Sequence, residues 1–212
     1  MRAPLTLMLA AILSMAAVTV EAEVQVTEGQ FAVNLAHRLE LGENLSHGKA
    51  IALLTGAGVK PHDGWNPGAK ATDELVVKVQ AAFSKILSDL ARTHGIPTPP
   101  TLGFQVLEPP YAGQMIGFVP EFIKEGKITQ GRFAGALAMK LRLAQEPSDK
   151  DAIALLSKVG IEPNGGWQPK AMATDLFMVR LQVSMVEILK EVAGELRIPL
   201  PPTVNIKIVT EE

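Results

Sequence analysis

The chain repeats itself at a fixed offset of 102 residues, and this repeat constrains its fold more than any other feature. About 33 of the 75 positions from 27 to 101 are identical to their counterparts from 129 to 203, with no gap. The clearest matches are Thr27–Ala32 with Thr129–Ala134, Ala50–Leu54 with Ala152–Leu156, Gly64-Trp65 with Gly166-Trp167, and Ala71–Asp73 with Ala173–Asp175. A repeat of this length predicts a tandem duplication in which both copies fold alike.

Each copy is predicted to form three helices, because each copy carries three Ser or Thr caps followed by apolar residues at helical spacing. The caps are Thr27, Ser46 and Thr72 in the first copy and Thr129, Ser148 and Thr174 in the second. Gln30 stands three residues after Thr27, in the pattern of a capping box. The second helix is expected to stop at Gly58 or Gly160, where glycine can adopt a positive φ. The third helix is expected to be long and to end before a Pro-rich turn. In the first copy its apolar stripe is expected to consist of Leu75, Val79, Phe83, Ile86 and Leu90.

Short β-strand segments are expected beside the helices, because apolar and polar residues alternate there. They are Val24–Val26, Leu102–Leu107 and Val204–Val209. The predicted fold class is therefore mainly α, with tandem duplicated three-helix units and short strand segments. The predicted organisation is a signal peptide at 1–22, helical repeat 1 at 23–107, a linker at 108–127 and helical repeat 2 at 128–212.

The N-terminus has the pattern of a secretory signal. Arg2 is followed by the apolar run Leu5–Ala17, and Val20 and Ala22 place small residues where signal peptidase cleaves. The alternative is a membrane anchor, but the run is shorter than the ~20 residues that a spanning helix needs. We expect cleavage after Ala22, no membrane span after cleavage, and a periplasmic or secreted protein of the cell envelope.

Composition and the repeat exclude several classes of function. The chain has no cysteine, which excludes disulfides, thiolate metal sites and cysteine nucleophiles. A net charge of -2 and 5% aromatic residues argue against nucleic-acid binding. No histidine is kept in both copies, so we expect surface histidines and neither a shared metal site nor an acid–base site; they are His37, His47, His62 and His94. No catalytic motif is found, and we expect a protein that is not an enzyme and needs no cofactor.

The loop before each third helix holds the candidate binding residues. They are Trp65, Thr72 and Asp73 in the first copy and Trp167, Thr174 and Asp175 in the second. Each tryptophan can offer a flat face to a sugar or a partner. It can equally fill space between helices while its indole N–H bonds to a backbone carbonyl, and we favour this second interpretation. Each aspartate lies where the positive end of a helix dipole stabilises a carboxylate, which favours a capping role.

From the second helix onward, each copy resembles the S-layer homology family. The resemblance rests on Ala50-Ile51 to Leu54, Gly58-Val59, Gly64-Trp65, Pro67 and Thr72, and on their counterparts at Ala152-Ile153 to Leu156, Gly160-Ile161, Gly166-Trp167, Pro169 and Thr174. It covers roughly 45 to 55 residues of each copy. The family's Thr-Arg-Ala-Glu motif has an arginine where this chain has Asp73 and Asp175. A carboxylate cannot offer an anion the paired donors of arginine, so the resemblance implies a helical fold and an envelope setting more than binding of an anionic glycan.

Two functions follow as hypotheses. The first is a non-enzymatic scaffold or attachment module of the cell envelope, with a cell-wall glycan or an envelope protein as its partner. The alternative is a periplasmic small-ligand-binding protein with a cleft between the two repeats. A deep apolar pocket between the repeats would favour the alternative.

Overall fold

The chain is mainly helical, as its sequence predicts. The computed structural model describes residues 25–96, called here the first half, and residues 128–200, the second half. Within them lie six helices: α1 Glu28–Arg38, α2 His47–Gly56, α3 Asp73–Thr93, α4 Gln130–Lys140, α5 Asp149–Lys158 and α6 Asp175–Glu195. The bounds of α4, α5 and α6 lie 102 residues after those of α1, α2 and α3. The predicted signal peptide, the linker and the strands at 102–107 and 204–209 lie outside the described residues.

All six helices begin after the predicted cap. In each, the cap's hydroxyl oxygen accepts a hydrogen bond from the backbone N–H three residues on; the caps are Thr27, Ser46, Thr72, Thr129, Ser148 and Thr174. Each such cap stabilises its helix by ~1 kcal/mol. The described residues show no reciprocal capping-box bond from Thr27 N–H to the Gln30 side-chain oxygen, and the Gln30 amide N–H donates to Asn34 Oδ1 at 3.5 Å.

The predicted strand at Val24–Val26 is wrong for its described part. Pairing in the described residues is limited to two isolated bridges, Thr27 with Lys70 and Thr129 with Met172. Two backbone hydrogen bonds hold the first bridge, from Glu28 N–H to Ala69 at 2.9 Å and from Ala71 N–H to Val26 at 2.8 Å. Thr27 is both the bridge residue and the cap of α1, so the chain turns into a helix before a strand can form.

The two halves share one hydrophobic core. Within each half the two short helices pack together, as α1 with α2 and α4 with α5. Between halves the long helices α3 and α6 contact each other, α1 packs against α6, and α4 packs against α3. Phe31 and Phe133 are fully buried members of a cluster that draws residues from both halves. Each half therefore covers apolar surface that the other half would otherwise expose to water.

The long helices bury a second face where they meet. Besides the predicted stripe of α3, Val76 and Leu87 are fully buried. Polar groups also lie in this contact: the Gln182 amide donates to Ser84 Oγ at 3.2 Å, and Ser84 donates to the Gln80 carbonyl oxygen at 3.1 Å. Buried polar groups are costly unless they are paired, so these bonds favour one register between α3 and α6.

Two residues in the left-handed conformation also reach across between the halves. Glu40 has φ 53° and Arg142 has φ 62°, each just after the end of a short helix where glycine is usual. The Glu40 carboxylate accepts from Lys158 Nζ at 2.8 Å. The Arg142 guanidinium lies so close to Gly56 that a Cβ there would be 2.8 Å from Cζ. An exposed ion pair such as Glu40–Lys158 adds at most ~1 kcal/mol, so this contact contributes little to the stability of the pair of halves.

Within the described residues, no helix is both long and apolar enough to cross a membrane.

Candidate functional site

The two tryptophan loops pack onto the core in related but unequal ways. Trp65 and Trp167 are both partly buried against the core cluster. The Trp65 ring lies 6.5 Å from that of Phe31, tilted by 35°. The Trp167 ring lies 5.6 Å from that of Phe177 at 61°, an edge-to-face arrangement. Since Phe177 is in the first turn of α6, the second loop is fixed against the start of that helix.

The indole N–H groups do not behave as expected. In both Trp65 and Trp167 the Nε1 atom is buried, and no group in the described residues accepts a hydrogen bond from it. The predicted bond to a backbone carbonyl is therefore wrong for this part of the chain. Burial of each ring stabilises the loop more than the unpaired N–H destabilises it, because the ring contributes far more buried area than the N–H does.

The threonines beside these loops act as caps. Thr72 Oγ1 accepts from Leu75 N–H, and Thr174 Oγ1 accepts from Phe177 N–H, each at 3.3 Å. Because the backbone N–H of Phe177 is capped while its ring contacts Trp167, the cap and the tryptophan hold the same turn. These threonine oxygens are thus engaged in supporting the helices.

The two matched aspartates have different surroundings. Asp73 is exposed, and its Oδ1 accepts from Glu74 N–H at 2.8 Å. Asp175 is 8% exposed, and its Oδ1 has no hydrogen-bond partner in the described residues. Burial raises the pKa of the Asp175 carboxyl because it disfavours the charged form. The pair that the sequence treats as equivalent therefore differs in burial and in hydrogen bonding.

An open groove beside α4 is a second candidate site, and the sequence did not predict it. Its volume is about 480 Å³, within the ~300–1,000 Å³ of small-molecule sites. The second half supplies most of the lining, and His94, just after α3, comes from the first half; the other lining residues are Ile128, Arg132, Gly135, Ala136, Met139, Pro147 and Asp149. The groove thus lies where the two halves meet.

The groove combines opposite charges with apolar surface. Arg132 and Asp149 both border it and both are exposed, and in the described residues neither forms a salt bridge. His94 is half-buried, with its ring edge-on to Phe133 at 6.5 Å. The expectation of a solvated surface histidine is therefore wrong for His94, whereas His37, His47 and His62 are exposed. Met139 is 45% exposed, and it is one of two large hydrophobic side chains that are exposed in the described residues.

Small residues on α4 open this groove. Gly135 and Ala136 stand where the first half has Val33 and Asn34. A Cβ on Gly135 would meet only the Pro147 carbonyl oxygen, at 4.0 Å, so no close contact requires glycine there. Glycine inside a helix costs ~1 kcal/mol relative to alanine. No close packing contact offsets this cost at Gly135. We therefore interpret Gly135 as a position where the absence of a side chain keeps the groove open.

A tight contact lies at the start of α4, next to the groove. The Gly131 N–H donates to the Pro169 carbonyl at 3.1 Å, and a Cβ on Gly131 would lie 3.0 Å from that oxygen and 2.6 Å from Asp149 Oδ2. At the counterpart Gly29, the N–H donates to the Pro67 carbonyl at 3.2 Å, and a Cβ would lie 2.6 Å from His47 Nδ1 and 3.0 Å from His47 Cβ. Both positions are therefore too close to their neighbours for a side chain unless a neighbour moves.

The groove residues escape sequence reasoning because the two copies differ there. Gln30, His47 and Leu196 are the counterparts of Arg132, Asp149 and His94. A search for residues kept in both copies discards all three, and the signal that could have found them is this difference in charge. In the described ranges no cluster of three or more His, Asp or Glu could hold a metal ion. Comparison with protein-family models, curated proteins and solved structures found no match for this chain.

Proposed function

We propose that this chain is an exported, non-enzymatic protein of the cell envelope, built from two copies of a duplicated, S-layer-homology-like helical unit. It would serve as a scaffold or attachment module and bind a cell-wall glycan or an envelope protein. The observation that carries the proposal is what the two copies keep in common: caps, core residues and the Gly-Trp loops. These are the residues that preserve a scaffold.

The contacts of the tryptophan loops support a structural role for the residues that both copies keep. Trp65 and Trp167 both pack on the core, and Thr72 and Thr174 both cap the helix that follows. The partner would therefore bind around these loops or on helix faces, and the loops would present a fixed surface. A fixed surface loses little conformational freedom on binding, which favours attachment.

The charge at the start of α3 limits which classes of partner can bind. Asp73 is exposed at a position where the resembled family has an arginine. A carboxylate repels anionic glycans and accepts hydrogen bonds from hydroxyl or amine groups. We therefore infer that the partner is a neutral glycan or a protein surface with exposed donors.

Two measurements test this proposal. N-terminal sequencing of the protein purified from the periplasmic or secreted fraction should give a start near Glu23; Met1 in cytosolic protein would contradict export. A pull-down from isolated cell envelopes should retain the mature protein, and the variant Asp73→Arg should change which glycan fraction is retained. No retention on any envelope fraction would contradict attachment.

A second candidate function, a periplasmic small-ligand-binding protein, rests on the groove, which is open and has mixed walls in place of the deep apolar pocket expected for this function. Both halves line it, and its volume suits a small molecule. The expected cleft between the repeats would then be this open groove beside α4, with mixed polar and apolar walls.

A further inference from the structure

We propose that the groove beside α4 binds a small zwitterion with an apolar body, of the class of short peptides and apolar amino acids. This inference rests on the second candidate function and names its ligand. It does not involve the tryptophan loops. Its failure would therefore leave the attachment proposal standing, since retention in a pull-down from cell envelopes does not require the groove to bind a small zwitterion.

The proposed ligand class follows from the charged side chains that border the groove. Arg132 offers a planar set of N–H donors that matches a carboxylate. Asp149 offers two acceptor oxygens that match an ammonium group. The two side chains border one groove without forming a salt bridge to each other. A ligand with both charges would satisfy both side chains, whereas an anion or a cation would leave one of them facing a like charge.

The apolar residues that line the groove favour a ligand whose body is apolar. Ile128, Met139 and Pro147 line it together with Ala136. Met139 is 45% exposed, and its flexible thioether can adapt to different apolar groups. A bound aliphatic side chain would remove this surface from water, which stabilises the complex.

His94 lies where it can close one wall of the site. Its ring contacts Phe133 edge-on at 6.5 Å, so the ring is held by the core of the second half although it follows α3 of the first. A ligand in the groove would therefore touch both halves.

The first half serves as an internal control, because its counterpart positions carry the wrong residues for this chemistry. Gln30, Val33 and His47 stand where the groove has an arginine, a glycine and an aspartate. The substitutions Arg132→Gln, Gly135→Val and Asp149→His therefore introduce residues that the same helical frame already accommodates.

The test is a titration of the mature protein with leucylleucine, followed through the 13C-labelled methyl group of Met139. We expect a saturable shift, and an N-acetylated, C-amidated analogue should bind at least tenfold more weakly. Arg132→Gln and Asp149→His should each lower the affinity about tenfold, the effect of losing one charge-assisted hydrogen bond. Gly135→Val should abolish binding by filling the groove, while Gly48→Ala, at a position with no atom within 4 Å, should bind as the wild type does.

Three outcomes would overturn the zwitterion assignment. If the capped analogue binds equally well and Gly135→Val abolishes its binding, the groove is a small-ligand site of another class. If Arg132→Gln and Asp149→His leave the affinity unchanged, the charges do not recognise the ligand. If neither probe gives a saturable shift while thermal melts show that the protein is folded, the groove does not bind this class.

Discussion

Replacing the tryptophans one at a time should show whether their loops support the fold or bind a partner. Truncation of a fully buried aromatic side chain to alanine costs ~3–5 kcal/mol. Trp65 and Trp167 are partly buried, so we expect the lower end of this range, about 3 kcal/mol, for Trp167→Ala. Trp167 also loses its edge-to-face contact with Phe177, a kind of pair worth ~0.5–1.5 kcal/mol. Trp65 has a more distant and tilted neighbour, so Trp65→Ala should cost less.

The buried indole N–H provides a second, finer measurement. A buried donor without a partner costs ~1–3 kcal/mol, and phenylalanine has no such donor. Trp167→Phe should therefore lose part of the ring's packing and regain part of this cost, so that its stability stays near that of the wild type. If Trp167→Phe is instead as destabilised as Trp167→Ala, the N–H has a partner outside the described residues.

Thermal melts of the mature protein will measure these effects. For a protein of this size, 1 kcal/mol corresponds to a change in Tm of ~2–4 °C. Trp167→Ala should therefore lower Tm by ~6–12 °C, with a smaller decrease for Trp65→Ala. Unchanged melting in both variants would refute the structural interpretation. If retention on envelopes is lost at the same time, the loops are two binding sites.

Three further predictions concern buried polar groups and glycines. Because burial raises the pKa of Asp175, its carboxyl binds a proton more tightly in the folded state than in the unfolded state. Its contribution to the free energy of unfolding should therefore fall as the pH rises from 3.8 through the folded-state pKa. Urea titrations at several pH values should show this contribution as the difference between the wild type and Asp175→Asn. Gly131→Ala and Gly29→Ala should both destabilise the protein in thermal melts, because a Cβ at either position would lie 2.6 Å from a side-chain atom of Asp149 or His47. Ser84→Ala should cost ~1–2 kcal/mol by leaving the Gln182 amide without its partner, and adding Gln182→Met should recover part of that loss; a double variant no better than Ser84→Ala would contradict this.

The helix starts could be predicted because they are decided locally. A Ser or Thr side chain reaches only the backbone N–H groups of the next turn, so Thr27, Ser46 and Thr72 identify their helices without any tertiary information. The apolar stripe of α3 could also be predicted from local sequence, because its residues recur at helical spacing. Val79 and Phe83 are buried as expected. The strand at Val24–Val26 was not correct, because a single bridge and a helix cap compete for the same residue, and the cap leaves no room for a ladder.

The contact between the halves could not be read from periodicity. Gln80, Ser84 and Gln182 are polar, and a pattern of apolar residues places them on the outside of α3 and α6. They are buried because the two long helices meet there, which depends on residues nearly 100 positions apart in the chain. The groove could not be predicted for a related reason. Gly135 contributes only the absence of a side chain. Arg132 and Asp149 border the same groove only once the chain is folded.

The reciprocal packing of α1 on α6 and of α4 on α3 has a consequence for how such a chain can change in length. In an open solenoid each unit touches only its neighbours, so units are gained or lost at the ends. Here α1 packs against α6 and α4 packs against α3, so each half covers part of the other. Deleting one half would expose to water the apolar surface that the remaining half now buries against it. We therefore expect a chain shortened to either half to unfold more easily than the chain that keeps both.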